Sequence, residues 1–337
     1  MEWIAKYFLH IPQIAVTWGI FFVAGFATFV VVLLEKRQTF SVLAFVKHCC
    51  PIDLRRNKSV HMDLKIYIIQ KCTAFLPGGL FMIVIAAVAA WEVASLKSAW
   101  VNYTPLTPGI AAAVACAACV FIAREFADYV VHYAEHKTPI LWELHKVHHS
   151  SEFLNPLTAK RGHILALFYN GVVGGAFGGA IGGIFMFVFG FSLLETMALG
   201  AIGNKIGALA SLDAIKHSHF PVDFGWGDRL LISPHMHQVH HSRQREHWDK
   251  NFGTNLSIFD WLFGTAYKPR EGEVIVLGIS GHDEAAMAKY HTLKGAYVMP
   301  LVRMWRMLAS AGATASQRVL RQRSGRGARG TPYRRYD

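Results

Sequence analysis

The sequence predicts an all-α fold: a polytopic membrane helical bundle of about four to five spans, with a histidine-rich di-metal site on its cytoplasmic side. Apolar residues make up 53% of the 337 residues and charged residues only 17%, against about 45–50% and about 25% in soluble domains. Four uncharged runs reach the length that a helix needs to cross a bilayer, namely 14–34, 72–91, 99–123 and 164–194. Twelve of the 18 histidines lie in two short segments. This composition excludes a soluble globule, a secreted disulfide scaffold and a disordered chain.

Residues 1–119 are predicted to form an N-terminal transmembrane region. Its three spans are Ile14–Leu34, about Cys72–Trp91 and about Pro108–Ala123. The segment between the first two spans is basic, so the positive-inside rule places it in the cytoplasm. The connection before the third span carries only Lys97 and is therefore placed on the opposite side, and the chain returns to the cytoplasm near Arg124.

Two further spans are predicted between the histidine segments. Residues 164–194 are uncharged, with glycines repeating every four residues, a pattern that lets membrane helices pack closely. A fifth span, about Ser192–Leu212, is less regular because it contains Glu195 and Lys205, and a re-entrant hairpin remains the alternative. With a turn at Gly190–Ser192, the two crossings return the chain to the side where it started, so both histidine segments face one compartment.

The C-terminal region accounts for most of the net charge of +12. Residues 269–316 are predicted to be a cytoplasmic and interfacial segment, with an interfacial helix around Val298–Leu308. Residues 317–337 are predicted to be a disordered, Arg-rich tail. Nine arginines and one acid lie in 303–337, and we expect this end to lie near anionic lipid. An RNA-binding tail is the alternative, but no nucleic-acid partner is expected.

The histidine spacing predicts a metal site. His132 and His136 are four residues apart, so both rings leave one face of a helix. The motif H-x-x-H-H occurs twice, with rings at positions i, i+3 and i+4 on one face, as His145, His148, His149 and as His237, His240, His241. So many imidazoles would repel one another if protonated, and metal ions are the partners that accept their lone pairs. One zinc takes about four protein ligands, so this number indicates two ions. Iron, copper and zinc all remain open.

At this point the residues resemble a known family. The stretch DYVVHYAEHKTPILWELHKVHHSSEFLNPLTAKR (128–161), with SPHMHQVHHS (233–242) and NFGTNLSIFDWLFGT (251–265), is similar to the fatty acid hydroxylase/sterol desaturase superfamily of membrane di-iron oxygenases. The resemblance covers roughly 120–268, which we expect to be a fatty acid hydroxylase-like catalytic domain. It implies that two iron ions are bound by His132, His136, His145, His148, His149, His237, His240 and His241.

The resemblance also suggests further site residues. His217 matches an additional ligand that the family places before the last histidine box, and His219 occupies a position that is often Asn. Asn155, Arg161 and Asp260 match family positions too, with structural or catalytic roles. From helix geometry, Asp128 lies one turn before His132 and is expected to fix a ring tautomer. His235 and His247 are expected to be supporting or surface residues.

The implied function is O2-dependent hydroxylation or desaturation of a C–H bond in a membrane lipid, fatty acyl chain or sterol. The sequence shows no dinucleotide fingerprint, so a separate electron donor is expected, a reductase with a ferredoxin or a cytochrome b5-like protein. The expected location is a bacterial inner membrane or the endoplasmic reticulum. The alternative is a membrane metal-ion transporter or metal-binding protein that uses the same histidines, which predicts ligands along a path within the spans.

Overall fold

The described part of the chain is helical. The computed structural model describes residues 13–311 apart from 38, 54–55, 271, 280 and 282–283. Within these residues there is no β-strand, and two isolated β-bridges pair Leu231 with Leu256 and Ser242 with Leu277. The predicted all-α class is therefore confirmed.

The α-helices are numbered along the described chain. The membrane region and the first histidine segment contain α1 (Gln13–Lys36), α2 (Val42–Cys49), α3 (Lys58–Thr73), α4 (Phe75–Ala99), α5 (Ile110–Lys137), α6 (Pro139–His149), α7 (Ile164–Phe189) and α8 (Leu193–Ala210). Shorter helices follow, which are α9 (Asp213–Lys216), α10 (Pro234–His240), α11 (Ile258–Phe263), α12 (Glu284–Ala288) and α13 (299–311). Turns of 3-10 helix occur at Thr158–Lys160, Gly225–Arg229, Arg245–His247 and Lys289–His291, and a π-helical turn at Lys294–Val298 leads into α13.

Four helices are long and apolar enough to cross a membrane, and they correspond to α1, α4, α5 and α7. Two predicted boundaries were wrong. The second span begins at Phe75, because Cys72 belongs to the end of α3. The third continues beyond Ala123 to Lys137, since a charged residue does not end a helix by itself. The next helix begins only at Pro139, where proline occupies the first helical position.

The turn predicted near Gly190 is present. Gly190 ends α7 in the left-handed conformation, with a φ of 68°, and a capping box between Ser192 and Glu195 begins α8. At 18 residues, α8 is about 27 Å long. It contains Glu195 and Lys205 and is not among the four span candidates. The region predicted as a fifth span is therefore a helix that packs against α5 and α7.

The glycines of α7 allow neighbouring helices to approach on two faces. A Cβ at Gly179 would lie 2.7 Å from the carbonyl oxygen of Ile85, so only glycine permits α4 to pack at this distance. On the other face, a Cβ at Gly174 would overlap the guanidinium group of Arg124. The glycine pattern therefore brings α4 close to α7 and leaves room for a charged side chain of α5.

The basic segment between the first two spans was expected only to be cytoplasmic. It folds into α2 and α3, and α3 is part of the core. Met62 and Ile66 of α3 are buried in one cluster with Val147 of α6 and Ala296. The helix α3 therefore supports the segment that carries the first H-x-x-H-H motif.

A helix covers the region predicted as an interfacial helix, around Val298–Leu308, as the π-helical turn followed by α13. Its apolar side chains are exposed, among them Val302, Trp305 and Leu308, as an interfacial helix requires. Arg303 faces the protein and pairs with Glu143 at 3.4 Å. The predicted disordered tail, 317–337, lies outside the described residues.

Candidate metal centre

Nine histidines come together at one end of α5. The helices α5, α6 and α10 each supply rings spaced three or four residues apart, which therefore share one helix face. The ring that follows α9 completes the set. The nine residues are His132 and His136 of α5, His145, His148 and His149 of α6, His217, and His237, His240 and His241 of α10 and its C-terminal cap.

The nine rings form two adjacent groups with the geometry of two metal sites. In each group, one ligand atom from every residue lies within 4.8 Å of the others. His149 and His241 belong to different groups, and their ring centroids are 4.8 Å apart. The first group consists of His132, His136, His145, His149 and His240, and the second of His148, His217, His237 and His241.

The Nε2 atoms of these rings point at one another. In the first group, Nε2–Nε2 distances are 3.1 Å for His132 and His145 and 3.1 Å for His136 and His149. In the second group the Nε2 atom of His217 lies 3.2 Å from that of His148 and 2.9 Å from that of His237, which in turn lies 3.2 Å from that of His241. In each group the Nε2 atoms, which are the ring nitrogens that a metal ion would bind, therefore converge.

Hydrogen bonds at Nδ1 determine the tautomer of four rings. Carbonyl oxygens only accept hydrogen bonds, so a ring nitrogen that contacts one must donate. The acceptors are the carbonyl oxygen of Phe252 for His132 (2.7 Å), that of Lys250 for His240 (2.8 Å), that of Arg161 for His148 (2.9 Å) and the Glu135 carboxylate for His145 (2.8 Å). In the neutral ring the lone pair then lies on Nε2.

This arrangement fits a bound cation. His132 and His145 present two Nε2 lone pairs to each other at 3.1 Å, which repel unless a positive ion lies between them. The Nε2 atom of His240 is buried and has no hydrogen-bond partner among the described residues, which is costly for a polar atom. Nine imidazoles form a donor set that suits iron, copper or zinc. Within the described part of the chain the Nδ1 atoms of His217, His237 and His241 also lack partners, so packing orients these three rings.

Six of the rings outside the membrane spans are held in the neutral form. Burial is the first cause that lowers the pKa of His148, His149, His237, His240 and His241 well below the usual value, and neighbouring histidines lower it further. Burial lowers the pKa of His217 to about 3. Only neutral imidazole binds a metal, so these six rings are ready to coordinate at neutral pH.

We expect the metal-free protein to lose stability as the pH falls below about 6.5. The unfolded chain takes up protons there, whereas the folded chain, whose histidine pKa values are lowered, does not. This contribution to the free energy of unfolding is therefore complete above this pH. It decreases as the pH falls towards the lower pKa values that the histidines have in the folded protein. The thermal midpoint measured from pH 7.5 down to pH 5.5, above the carboxylate range, tests this. His217→Gln should give a shallower decrease, and a midpoint independent of pH would contradict the expectation.

Sequence reasoning missed Glu135, a buried acid beside the site. Its carboxylate accepts the Nδ1 proton of His145 at 2.8 Å and a hydrogen bond from the hydroxyl of Tyr169. The signal was present, because Glu135 is the acid that lies between the two histidines of the first box. A carboxylate that accepts from a ligating histidine orients the ring and raises its basicity.

Glu135→Gln is expected to weaken metal binding about 10- to 100-fold, because an amide cannot supply the charge that stabilises His145 as a ligand. Competition against a chelator measures the affinity. Glu195→Gln is a matched control, since Glu195 caps α8 and lies outside both histidine groups. Equal affinities for the Glu135→Gln variant and the unaltered protein would contradict the role of Glu135.

The loop after α10 holds the carbonyl groups that orient His132 and His240. Asp260 accepts hydrogen bonds from the backbone N–H of Phe252 (2.7 Å) and of Gly253 (2.8 Å), and from the hydroxyl of Thr265. Phe252 thereby directs its carbonyl oxygen at His132. Asp260 supports the site through this loop and does not touch a histidine of either group among the contacts described.

A buried ion pair anchors the carbonyl group that orients His148. Arg161 and Asp63 are both 0% exposed and pair at 2.7 Å. Arg161 also donates to the carbonyl oxygens of Val147 and Ser150 at the end of α6. Asn155 donates to Asp63 at 2.6 Å. Arg161 and Asn155 thus join α3 to the histidine segment, and neither side chain contacts a ring of the two groups in the bonds described.

Two expectations for supporting residues need correction. Asp128 does not fix the tautomer of His132, because its carboxylate pairs with Arg124 at 3.3 Å and His132 donates to Phe252 instead. His219 belongs to neither group. Its Nε2 atom lies 2.8 Å from the carbonyl oxygen of His48, because the turn after His217 directs it towards α2. Asn155 acts at a distance, as described above.

His235 and His247 lie outside both groups. His247 is buried and has two partners, the hydroxyl group of Ser242 and the carboxylate of Glu273, each at 2.9 Å. It thereby fixes the loop that follows His241. His235 is partly buried, at the first turn of α10.

Two cavities reach the rings from different sides. One, of about 320 Å³, is lined by His132, His145, His148, His217 and His237 together with Glu135. The other, of about 360 Å³, is lined by His136, His149 and His240 together with Trp142 and Trp248. The rings therefore border two cavities that have no lining residue in common.

The helical bundle carries two groups of converging histidines, each of which could hold a metal ion. Residues 117–265, which include both groups, match the fatty acid hydroxylase family. The resemblance predicted from the sequence is confirmed.

Curated relatives are lipid-modifying enzymes. An ornithine lipid hydroxylase from Rhizobium tropici is 28% identical over 162 residues, which cover 48% of this chain and 44% of that protein. Alkylglycerol monooxygenase from Danio rerio is 30% identical over 155 residues (46% and 31%), and that from Homo sapiens 28% over 160 residues (48% and 32%). The matched stretch spans less than half the length of these relatives. No solved structure matches.

Proposed function

We propose that this chain is an O2-dependent di-iron enzyme that hydroxylates or desaturates a C–H bond in a membrane lipid, fatty acyl chain or sterol. One observation carries the proposal: two adjacent groups of buried histidines open into a cavity that continues between membrane helices. The relatives, a lipid hydroxylase and monooxygenases, support a lipid substrate and a monooxygenase-type oxidoreductase.

Each histidine group would hold one ion. The first would use His132, His136, His145, His149 and His240, and the second His148, His217, His237 and His241. Two bound iron ions would supply O2 activation and the oxidation of an unactivated C–H bond. The protein contributes the positions of the rings, through Glu135 and the carbonyl groups of Phe252, Lys250 and Arg161.

Metal content and product formation test the proposal together. Protein purified without oxygen and loaded with ferrous iron should contain two irons per chain and should convert lipids in proteoliposomes only when O2 is present. Mass spectrometry of the lipids should detect added oxygen or lost hydrogen. One exchangeable zinc per chain together with ion flux across the liposome would instead support the metal-transporter alternative.

Electrons would enter from the side opposite the lipid. The cavity lined by Trp142 and Trp248 reaches His136, His149 and His240, and Trp248 is 48% exposed. We assign this face to a separate donor, a reductase with a ferredoxin or a cytochrome b5-like protein. Reconstitution tests the assignment, because turnover with NADH alone and no second protein would contradict it.

We assign the histidine site to the cytoplasmic side of the membrane. The support is the distribution of charge: the segment between α1 and α4 is rich in lysine and arginine, and its helix α3 packs beside the histidine segment. Labelling a cysteine introduced at the exposed Lys137 with an impermeant reagent tests the assignment. Labelling only after the cells are opened is expected, and labelling of intact cells would overturn it.

A further inference from the structure

The largest cavity described lies between the membrane helices. Its volume is about 620 Å³, and its walls come from α3, α4, α5, α7 and α8. Along α4 its lining residues run from Pro77 to Ile85, a distance of about 12 Å at the helical rise. The inner walls are apolar, with Phe81, Val120 and Met197 among the lining residues. Its shape and lining suit a hydrocarbon chain.

This cavity, which we call the chain cavity, joins the smaller cavity beside the rings. The two share four lining residues, Gln70, Lys160, Leu167 and Asn170. The smaller cavity, which we call the ring cavity, is the one lined by His132, His145, His148, His217 and His237. A single elongated molecule can therefore occupy both cavities, with one end beside the histidines and the other near Ile85 and Val120.

The acids that line the two cavities already have cationic or histidine partners. Asp128 pairs with Arg124 at 3.3 Å, Asp213 with Lys216 at 3.2 Å, and Glu135 with His145 at 2.8 Å. The charge of Arg124 is paired with Asp128, and its guanidinium group also lies over the ring of Phe81, 5.2 Å from the ring centroid. The negative charge at these walls is thus already balanced.

Two lysines at the same walls are not balanced in this way. Lys71 and Lys160 both line the chain cavity, and neither forms an ion pair within the part of the chain that the structure describes. Lys71 lies over the ring of Tyr67 at 5.6 Å. Lys160 lines both cavities and therefore stands where they meet. The junction therefore carries two exposed lysines beside an apolar chamber. Lys160 also contributes, after Lys216 and His217, to the lowered pKa of the Asp213 carboxyl against the effect of its burial, so part of its charge is shared with that acid.

We propose that this junction binds the head group of a lipid substrate that carries net negative charge, through Lys160 and Lys71. The inference rests on the proposed function and names the substrate class of the same site. The hydrocarbon chain lies in the chain cavity. Because Lys160 also lines the ring cavity, the carbons next to the head group lie nearest to the rings and are the ones oxidised.

Binding to the metal-free protein tests the charge requirement separately from turnover. The metal-free protein is placed in nanodiscs that contain either phosphatidylglycerol or phosphatidylcholine. It is then released from the nanodiscs in the mass spectrometer, and native mass spectrometry counts the lipid molecules that stay bound to it. We expect preference for phosphatidylglycerol. Lys160→Gln should lower that preference about tenfold, as expected for the loss of one charged hydrogen bond, whereas Lys160→Arg should keep it.

Lys65→Gln is the matched control, because Lys65 is an exposed lysine of the same helix as Lys71 and lines none of the cavities described here. If Lys65→Gln lowers the preference as much as Lys160→Gln does, general surface charge is responsible and the inference is overturned. An excess of inorganic phosphate should not displace the lipid. Displacement by phosphate alone would show a free-anion site and would also overturn it.

Product analysis completes the test. Fragmentation of the oxidised lipid should place the change within the first few carbons from the head group. Oxidation near the methyl end, or equal binding of both lipids by the unaltered protein, contradicts the inference. A protein that selects phosphatidylglycerol but oxidises no lipid when loaded with iron and supplied with electrons would refute the proposed function and leave the head-group site standing.

Discussion

His240→Ala is expected to remove one metal ion of two and to lower the oxidation rate by more than about 100-fold. The loss should exceed the 10- to 100-fold effect typical of residues that only orient a ligand. His240 is buried, and its Nδ1 proton is committed to the carbonyl oxygen of Lys250, which leaves Nε2 for the first ion. Metal analysis of the purified variant and the rate of lipid oxidation measure the two effects.

The same substitution at His217 should remove the other ion. His217 contacts His148 and His237 of the second group, with Nε2 distances of 3.2 and 2.9 Å. His235→Ala is the control, since this ring lies on the same helix as His240 but belongs to neither group, and it should retain both ions. If His240→Ala and His217→Ala both kept two ions, the assignment of ligands to two sites would be wrong.

Asp63→Asn is expected to lower the free energy of unfolding by about 3–5 kcal/mol, the cost of leaving one charge of a buried pair uncompensated. The partner, Arg161, is 0% exposed and has no access to solvent. Guanidinium unfolding in detergent micelles, followed by tryptophan fluorescence, measures the change. Arg56→Gln is the control, because its pair with Asp53 is exposed, with 91% and 57% of the two side chains accessible, and such pairs contribute little.

The effect of Asp63 should extend to the metal site. Arg161 provides the carbonyl oxygen that accepts the Nδ1 proton of His148, so displacement of Arg161 should also weaken the second ion. The double variant Asp63→Asn with Arg161→Gln removes the unpaired charge and should be less destabilised than the sum of the single variants. If the destabilisation of the double variant equals the sum for the two single variants, the two side chains do not act as a pair.

The sequence contained the ligands because their signal is local. Rings at i, i+3 and i+4 share a helix face whatever the rest of the chain does, so the spacing of His145, His148 and His149 was readable directly. The uncharged runs were readable for the same reason, since span length depends on consecutive residues. The end of α5 could not be predicted from the sequence. The span was expected to end before Arg124, but the charge of Arg124 is accommodated within the helix by Asp128 and by a glycine of α7.

The groups that orient the rings could not be derived from spacing. His132 donates to the carbonyl oxygen of Phe252, which lies 120 residues further along the chain, and any backbone carbonyl would look the same in the sequence. The assignment of Asp128 failed for this reason: helical proximity to His132 was correct, but a closer acceptor came from a distant loop. The position of Glu135 between the two histidines of the first box was visible in the sequence, but its partner was not, because His145 lies on the next helix.

The sequence alone determined four candidate membrane helices and eight of the nine histidines, since these depend on residue type and on separation along one helix, and the family resemblance added His217. Only the tertiary structure decided how the rings divide into two groups, which carbonyl groups and acids orient them, and that Lys160 stands between the chain cavity and the rings. These relations depend on the packing of α3, α5, α7 and α10 in three dimensions. Such packing brings together atoms whose separation along the chain carries no periodic signal.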